Sequence, residues 1–412
     1  MKVKKSLDSD CLALEGGQPI VDYTYSTWPA YSHDEINAVQ EVLRSRKVKY
    51  WTGKIGQKFQ QAFANFCGLN YAVAVSNGTV ALELALGALG IGPGDEVIVT
   101  SRTFIASVSS ICLCGAKPVF ADVNRNSQNI TADSIQACIT SRTRAVMLVN
   151  LAGWPCDMES IQKLARDKNF KIIEDCAQAH GARYKNRLVG SFGDVAAFSF
   201  CQDKIISTGG EGGMLVTNDE SIWQYAWMYK DHGKSIECAE GNKQTSNGLY
   251  RWVHDSFGTN FRMTEMQAAI GLIQLQKLDE WVIKRQGHAN MLNLCFSKIP
   301  ALRITEPERH VEHAYYKYYA FIKPEMLKSE WNRDKIIQAI NAEGVPCFAG
   351  SCSEVYKEKA FVNAGLAPPE SLVVANELGE TSLMFNVHPT IKNHEIQDVC
   401  AAVEKVFEYA SA

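Results

Sequence analysis

Residues 198–204 read Phe-Ser-Phe-Cys-Gln-Asp-Lys, an apolar strand-like run that stops at polar residues just before the glycine-rich turn at 207–213. Outward from this stretch, short β-rich runs alternate with helical runs from about residue 59 to residue 217. The predicted strands are Tyr71–Val75, Glu96–Val99, Pro118–Ala121, Ala145–Val149, Lys171–Glu174, Val195–Phe200 and Met214–Val216. Strands that alternate with helices predict an α/β domain with a mostly parallel sheet covered on both faces.

In a sheet of this kind, ligands bind beyond the carboxyl ends of the strands. Lys204 and Asp175 both fall there, because each stands at the end of a predicted strand. A lysine that can form an imine and a carboxylate that can hold the proton of a pyridine nitrogen are the two groups that pyridoxal phosphate chemistry requires. Lysine and aspartate are common and usually exposed, so neither is informative alone. Their joint placement predicts pyridoxal 5'-phosphate as cofactor and a reaction that moves amino groups.

Residues 76–79, Ser-Asn-Gly-Thr, follow a predicted strand and open a predicted helix. Gly78 lets the backbone approach a ligand closely, and a helix N-terminus offers free N–H groups to an anion. This pattern suits a phosphate site to which Thr79 adds a hydroxyl, although an ordinary capped turn would read the same. The chain has neither a Gly-x-x-x-x-Gly-Lys-Ser/Thr loop nor a Gly-x-Gly-x-x-Gly fingerprint. Their absence disfavours nucleotide hydrolases and dehydrogenases.

At 412 residues the chain exceeds the size at which one core keeps growing, so two domains are expected. We predict an N-terminal segment and helix that pack near the small domain (1–58), a large cofactor-binding domain (59–290) and a smaller C-terminal α+β domain (291–412). The long amphipathic helix Thr264–Arg285 is predicted to lead toward the second domain. The polar stretch Lys234–Asp255 is predicted to be a long surface loop.

Composition restricts the partners and the location. The formal net charge of -3 disfavours nucleic-acid binding, which normally requires a basic excess. No apolar run follows the basic N-terminus and none is long enough for a membrane span, so we expect no membrane association and a cytoplasmic location. The 13 cysteines are scattered without a Cys-x-x-Cys pair, which predicts reduced core residues rather than a metal site or a disulfide framework.

Seven motifs in one order carry a family resemblance. The chain resembles the sugar aminotransferases of the DegT/DnrJ/EryC1/StrS family, a branch of the aspartate-aminotransferase fold (pyridoxal phosphate fold type I), from about Trp51 to Pro389. The matching motifs are Asn77-Gly78-Thr79, residues 90–97 (Gly-Ile-Gly-Pro-Gly-Asp-Glu-Val), Thr103-Phe104, residues 174–181 (Glu-Asp-Cys-Ala-Gln-Ala-His-Gly), Phe198-Ser199-Phe200 with Lys204, Gly210-Glu211-Gly212-Gly213 and residues 260–264 (Asn-Phe-Arg-Met-Thr).

The resemblance implies a role for each matching residue. Lys204 would form the imine with the cofactor and later act as the base that moves a proton, and Asp175 would pair with the pyridine nitrogen. Gln178 would contact the ring or its phenolic oxygen, and Phe104 would stack on one ring face. The phosphate would be held by Gly78, Thr79 and Ser199, joined by Asn260 from a partner subunit. That last role implies a homodimer with a shared active site.

The same resemblance implies L-glutamate as amino donor and a keto sugar as acceptor, in lipopolysaccharide or other surface polysaccharide biosynthesis. Arg102, at a position where the family usually has a small or apolar residue, and Arg262 are candidate substrate contacts. We lean to a free keto sugar acid of the 8-oxo-3,8-dideoxy-octulosonate type, because Arg102 could pair with a carboxylate. The alternative acceptor is a nucleotide-linked keto-6-deoxyhexose. Equally, Arg102 could bind the glutamate donor or a structural acidic partner.

Two other activities on this fold are disfavoured by the same residues. Cofactor-dependent sugar dehydratases of the family replace the imine-forming lysine with histidine, whereas position 204 is lysine. A non-catalytic protein that binds the cofactor as a regulator would not need the full set of motif residues. An aminotransferase therefore remains the leading prediction.

Overall fold

The computed structural model describes residues 11–239 and 253–412. The helices are α1 His33–Ser45, α2 Ile55–Cys67, α3 Gly78–Ala88, α4 Ala106–Leu113, α5 Ala132–Gln136, α6 Met158–Lys168, α7 Glu220–Tyr229, α8 Ile236–Ala239, α9 Glu265–Phe296, α10 Arg333–Ala342, α11 Lys359–Asn363, α12 Val373–Thr381 and α13 Asn393–Ala410. The strands are β1 Tyr71–Val75, β2 Glu96–Thr100, β3 Lys117–Ala121, β4 Thr143–Val149, β5 Lys171–Asp175, β6 Arg183–Tyr184, β7 Arg187–Leu188, β8 Val195–Ser199, β9 Gly213–Thr217, β10 Leu302–Ile304, β11 Val311–Glu312, β12 Tyr318–Ile322, β13 Cys347–Phe348 and β14 Ser382–Phe385.

The central sheet has seven strands in the order β1-β9-β8-β5-β4-β2-β3. Strands β3, β2, β4, β5 and β8 are parallel, and only β9 runs antiparallel to both of its neighbours, β8 and β1. Strands β2 and β8 are buried along their whole length, as expected for a sheet covered on both faces. The predicted α/β class with a mostly parallel sheet is therefore confirmed.

Helices cover the sheet because their apolar sides have nowhere else to be buried. Helix α3 begins where the Asn77 side chain accepts a hydrogen bond from the Val80 N–H group. Helix α9 begins with a capping box in which Thr264 and Gln267 satisfy each other's backbone donors. One apolar core lies between α3, α4 and the sheet, and a second lies between α2, α9 and the opposite face.

A second, antiparallel sheet has four strands in the order β10-β12-β14-β13. In β12 and β14, Tyr318 pairs with Phe385, so the start of one strand adjoins the end of the other. The apolar core of this sheet also takes in Leu12 and Val21 from the N-terminal segment. A small three-stranded sheet, β11-β6-β7, lies apart from both.

The predicted boundary after residue 290 falls inside α9, which continues unbroken from Glu265 to Phe296. The division into the segments 1–58, 59–290 and 291–412 therefore stays a prediction. The predicted loop Lys234–Asp255 lies mostly outside the described residues, and its described beginning contains the short helix α8. Within the described ranges, no helix is long and apolar enough to cross a bilayer.

Candidate active site

The carboxyl ends of β1, β2, β5 and β8 open into one cleft of about 1060 Å³. The second sheet closes this cleft with residues of β12 and β14 and with the segment that follows β13. Seven of the predicted site residues line it: Gly78, Thr79, Phe104, Asp175, Gln178, Ser199 and Lys204. Arg102, Asn260 and Arg262 are not among the described residues that line it.

Asp175 is the buried acid of the cleft. One carboxylate oxygen accepts a hydrogen bond from the Ser107 hydroxyl at 2.8 Å, and the other accepts from the Ala177 N–H group at 3.0 Å. Burial raises the pKa of the Asp175 carboxyl, although these hydrogen bonds and the charge of Lys204 oppose that rise. In the described part of the chain no cation forms an ion pair with Asp175. A cationic ligand group beside it would therefore be stabilised.

Lys204 points its ammonium group into a polar cluster on the wall of the cleft. The Nζ atom donates to the Tyr316 hydroxyl at 3.3 Å and lies 3.5 Å from the Asp203 carboxylate. Tyr316 in turn donates to Asp203 through its hydroxyl. The Lys204 carbonyl accepts a hydrogen bond at 2.8 Å from the indole N–H of Trp28, which fixes the loop that carries the lysine.

Gly78, Thr79 and Ser199 form the predicted phosphate site. Gly78 is the first residue of α3, where the backbone N–H groups have no partner within the helix. A Cβ atom at position 78 would lie 2.7 Å from the Cβ atom of Ser199, closer than side-chain atoms pack. Only glycine lets the start of this helix sit against the end of β8. The result is a pocket wall that offers N–H and hydroxyl donors, as an anion requires.

Gln178 and Phe104 lie on the remaining walls of the cleft. The Gln178 carbonyl oxygen accepts a hydrogen bond from the Ala152 N–H group at 2.7 Å, which holds the side chain in one orientation. Phe104 is 66% exposed, which is unusual for a phenylalanine and costs apolar burial. An exposed ring at a cleft is suited to cover a planar ligand.

Arg102 is placed where the sequence did not lead us to expect it. Its side chain is completely buried, with Nε donating to Gln128 at 3.0 Å and Nη2 donating to Ser382 at 3.1 Å. The guanidinium carbon also lies 5.5 Å from the centre of the Tyr319 ring. These partners are neutral, so Arg102 meets no structural acid within the described ranges, and it is not among the residues that line the cleft. The position gives no support to a substrate contact, and Arg102 instead joins the central sheet to the second sheet.

Asn260 and Arg262 lie away from the cleft of their own chain. Asn260 is exposed and forms an isolated backbone bridge with Asp231. Arg262 forms an ion pair with the buried carboxylate of Asp231, which also accepts a hydrogen bond from the Trp51 indole. The predicted substrate contact of Arg262 therefore has no support from this position. An exposed Asn260 is where a residue that serves a partner subunit would have to be.

Several polar residues that the sequence patterns did not single out also line the cleft, among them Tyr316, Lys317 and Asn386. Tyr316 and Lys317 precede β12, and Asn386 follows β14. The Lys317 Nζ atom donates to the Asn386 side-chain oxygen at 2.9 Å. A signal was available in the run Tyr-Tyr-Lys-Tyr-Tyr at 315–319, where one charge interrupts an aromatic strand-like segment.

These residues fit pyridoxal phosphate by their chemistry. A buried carboxylate without a cationic partner matches a protonated ring nitrogen, and a lysine amine matches an aldehyde. The glycine-walled start of α3 matches a phosphate. Among the described residues, no group of three or more histidine, cysteine, aspartate or glutamate side chains is arranged to hold a metal ion.

Comparison with known proteins agrees with this geometry. The model of the DegT/DnrJ/EryC1/StrS aminotransferase family matches residues 29–404. GDP-perosamine synthase of Escherichia coli O157:H7 is 33% identical over 379 residues, which cover 92% of this chain and 97% of that protein. The dTDP-3-amino-3,4,6-trideoxy-alpha-D-glucose transaminase of Streptomyces venezuelae is 32% identical over 381 residues, which cover 91% of this chain and 93% of that protein.

A solved structure gives the same result. The X-ray structure of the aminotransferase from Psychrobacter cryohalolentis superimposes with a TM-score of 0.91 at 51% identity, and covers 93% of this chain and 99% of that one. The predicted fold type, the cofactor and the sugar aminotransferase class are thereby confirmed. The chain belongs to the DegT/DnrJ/EryC1/StrS family of pyridoxal phosphate-dependent aminotransferases.

Proposed function

We propose that this aminotransferase moves the amino group of L-glutamate to a keto sugar that is linked to a nucleotide. The observation that carries amino transfer is the presence of Lys204 and Asp175 in one cleft. The nucleotide is supported by the relatives, whose names specify a GDP-linked and a dTDP-linked sugar. The cleft volume, about 1060 Å³, stands at the upper end of the range of roughly 300–1,000 Å³ for small-molecule sites.

The free keto sugar acid that the sequence favoured has lost its main support. That preference depended on Arg102 as a partner for a sugar carboxylate, and Arg102 is buried behind the cleft with Gln128 and Ser382. The segment 350–352, shortly after β13, lines the cleft. Its residues Gly350, Ser351 and Cys352 are small and uncharged, which leaves room for a bulky acceptor without selecting a carboxylate.

In this proposal each cleft residue has one task. Bound pyridoxal phosphate supplies an electron-withdrawing ring that stabilises negative charge on the carbon that loses a proton. Asp175 would hold the proton on the ring nitrogen, and the Lys204 amine would be the group that meets the cofactor's aldehyde. The same Nζ atom would take and return the proton at the reacting carbon of the substrate. The tyrosine–aspartate pair of Tyr316 and Asp203 orients that amine.

Other residues hold the ring and the phosphate. Gly78, Thr79 and Ser199 would bind the phosphate, and Phe104 would cover one face of the ring and exclude water from it. Gln178, fixed by its bond from Ala152, would contact the ring edge. These assignments require the side chains where they now stand, because a shift of about 1 Å at a reacting centre can cost about a hundredfold in rate.

The proposal includes a homodimer in which Asn260 completes the phosphate site of the partner subunit. Asn260 is exposed and lies outside its own cleft, so it is free to serve a second copy. The ion pair between Arg262 and Asp231 stiffens the segment that presents it. Asn260 would add a further side-chain amide to the hydroxyl and backbone donors of that phosphate site.

A two-step experiment tests the acceptor. The cofactor-loaded protein is first treated with L-glutamate, which should remove its yellow colour, and the aminated form is then offered a panel of keto sugars. Nucleotide-linked keto-6-deoxyhexoses should restore the colour and yield an aminated sugar nucleotide by mass spectrometry. Restoration by a free keto sugar acid alone would overturn the proposal. Lys204→Met should show no change in either step, whereas Lys323→Met, a distant lysine change, should behave as the unmodified protein.

Subunit complementation tests the shared site. Lys204→Met and Asn260→Ala are each expected to be inactive or nearly so, and the two variants are then mixed and allowed to exchange subunits. In a mixed dimer, one site has an intact lysine from one chain and an intact asparagine from the other, so activity should return. If each site were built from one chain, no mixture would regain activity. That result would refute the shared site.

A further inference from the structure

Lys317 is a half-buried cation in the cleft that amino transfer, as described above, does not employ. Its ammonium group donates to the neutral side chain of Asn386, and no carboxylate among the described residues forms an ion pair with it. Burial lowers the pKa of the Lys317 ammonium to about 8. A buried charge is normally paired, because its desolvation is otherwise uncompensated. We therefore expect the anionic partner of Lys317 to be a molecule that binds in the cleft.

The second sheet fixes Lys317 and Asn386 as a pair. Lys317 stands one residue before β12 and Asn386 one residue after β14, and the adjoining residues Tyr318 and Phe385 are paired in register. Both side chains therefore leave the same end of the sheet, the end that faces the cleft. Because the Asn386 oxygen accepts from Lys317, its amide N–H group stays available as a donor. Together they present a charged donor and a neutral donor side by side.

This pair lies close to the reacting centre. The Nζ atom of Lys204 is 4.8 Å from the centre of the Tyr316 ring, and the Nζ atom of Lys317 is 4.9 Å from the same centre. Among the described residues that line the cleft, these two lysines are the only cationic side chains. Lys204 has the Asp203 carboxylate beside it, which leaves Lys317 as the cation that can receive an anion from a substrate.

We propose that Lys317 and Asn386 bind the α-carboxylate of the amino donor. In glutamate this carboxylate is attached to the carbon whose proton Lys204 moves, so its receptor must lie near Lys204. The phosphates of a nucleotide-linked sugar are attached on the far side of a hexose ring from an aminated C3 or C4 carbon. They belong farther from Lys204, toward the opening of the cleft. The inference rests on the proposed function and specifies how its donor is recognised.

The test separates the two half-reactions. In Lys317→Met, which keeps the length of the side chain and removes its charge, the glutamate concentration for half-maximal bleaching should rise about 10- to 100-fold. This range corresponds to the loss of one charge-assisted hydrogen bond. The second half-reaction with a keto sugar should change by less than about threefold, since such an acceptor has no α-carboxylate. Calorimetric titration with glutarate, which cannot react, should show weaker binding to the variant.

Two comparisons make the assignment specific. With 4-aminobutyrate, an amine that lacks the α-carboxylate, Lys317→Met and the unmodified protein should react at equal rates. Lys323→Met, at the other end of β12, is the matched control and should leave every measurement unchanged, because its ammonium group binds the Pro300 carbonyl. Lys317→Arg should keep glutamate affinity within a few fold. If Lys317→Met failed to fold, Asn386→Leu would replace it, with the same shift expected at about tenfold.

Several outcomes would overturn the inference. Unchanged glutamate and glutarate affinities in Lys317→Met would remove the proposed contact. An equal loss with glutamate and 4-aminobutyrate would assign the lysine to a different carboxylate, and a loss confined to the keto sugar step would assign it to the acceptor. Failure of the proposed function looks different. In that case the unmodified protein is bleached by glutamate and no nucleotide-linked sugar restores it, while the effect of Lys317→Met persists.

Discussion

Gly78→Ala, which adds a single methyl group, should weaken cofactor binding more than it destabilises the fold. Gly78 has no positive φ angle, so the backbone of an alanine there is unstrained. The obstacle is contact, since the new Cβ atom would lie 2.7 Å from Cβ and 3.1 Å from Cα of Ser199. Carbon atoms pack at about 3.5–4.0 Å. The start of α3 or the end of β8 must therefore move by roughly 1 Å, and both carry predicted phosphate donors.

The expected magnitudes follow from this shift. Overpacking of this kind costs about 1–3 kcal/mol, and the lower entropy of an unfolded chain with alanine offsets about 0.4–1 kcal/mol of it. The free energy of unfolding without cofactor should therefore fall by about 1–2 kcal/mol. Cofactor affinity should fall further, by roughly tenfold or more, because displaced N–H groups no longer converge on one anion.

Two measurements and a control decide this prediction. Urea unfolding of the cofactor-free protein measures stability, and absorbance titration with pyridoxal phosphate measures affinity. Gly287→Ala is the matched control, because it changes a helical glycine in α9 whose added Cβ atom meets nothing within 4 Å. The free energy of unfolding of that variant should rise by about 0.5–1 kcal/mol, and its affinity for the cofactor should be normal. Normal cofactor affinity in Gly78→Ala would refute the assignment of this helix end to the phosphate.

Three further predictions concern charge. Asp175→Asn should slow amino transfer by roughly 10- to 1,000-fold in a single-turnover assay, because a neighbouring carboxylate shifts the pKa of a cation by about 1–3 units; an undiminished rate would exclude the pairing. Burial lowers the pKa of Lys230 to about 7, so the unfolded chain binds more protons above that pH. The free energy of unfolding, measured with urea, should then rise by about 1 kcal/mol between pH 6.5 and 8. A Lys230→Met variant that kept this rise would contradict the reasoning. Burial lowers the pKa of Lys317 to about 8, an effect that the Asp203 carboxylate opposes and the charges of Arg285 and Lys204 increase, so glutamate affinity should decline as pH rises above 8. In Lys317→Arg, binding curves at several pH values should show no such decline, and a parallel decline would assign it to another group.

The central sheet could be predicted because its information is local. Short apolar runs bounded by polar residues recover the buried strands β1 to β5, β8 and β9 with ends that differ by one or two residues. Helix α9 is longer than predicted, since Leu292 and Phe296 continue its buried side past the exposed Gly287. Strand β12 begins only at Tyr318, and Tyr315 before it has a φ angle of 47°, which a strand does not accommodate.

The sequence predicts least well those residues whose environment is set by partners far away in the chain. Arg102 is a candidate substrate contact in the sequence because its guanidinium could pair with a carboxylate, yet Gln128 and Ser382, far away in sequence, bind it in a buried position. Lys317 was overlooked because its partner Asn386 comes from another strand of the second sheet. Motifs predict the groups that would touch the cofactor, whereas the proposed substrate contacts depend on the meeting of two sheets and leave little local pattern.

The connections between the two sheets have a consequence for how the enzyme samples substrates. Besides the bonds of Arg102, the Thr103 N–H group donates to the Cys352 carbonyl at 3.1 Å, and the Asp122 carboxylate accepts from the Val374 and Ala375 N–H groups at 2.9 Å each. An interface with this many hydrogen bonds resists relative movement of the two sheets. We therefore expect the cleft to keep its shape when a sugar binds. It should select sugars by excluding those that do not fit, rather than by closing around each one.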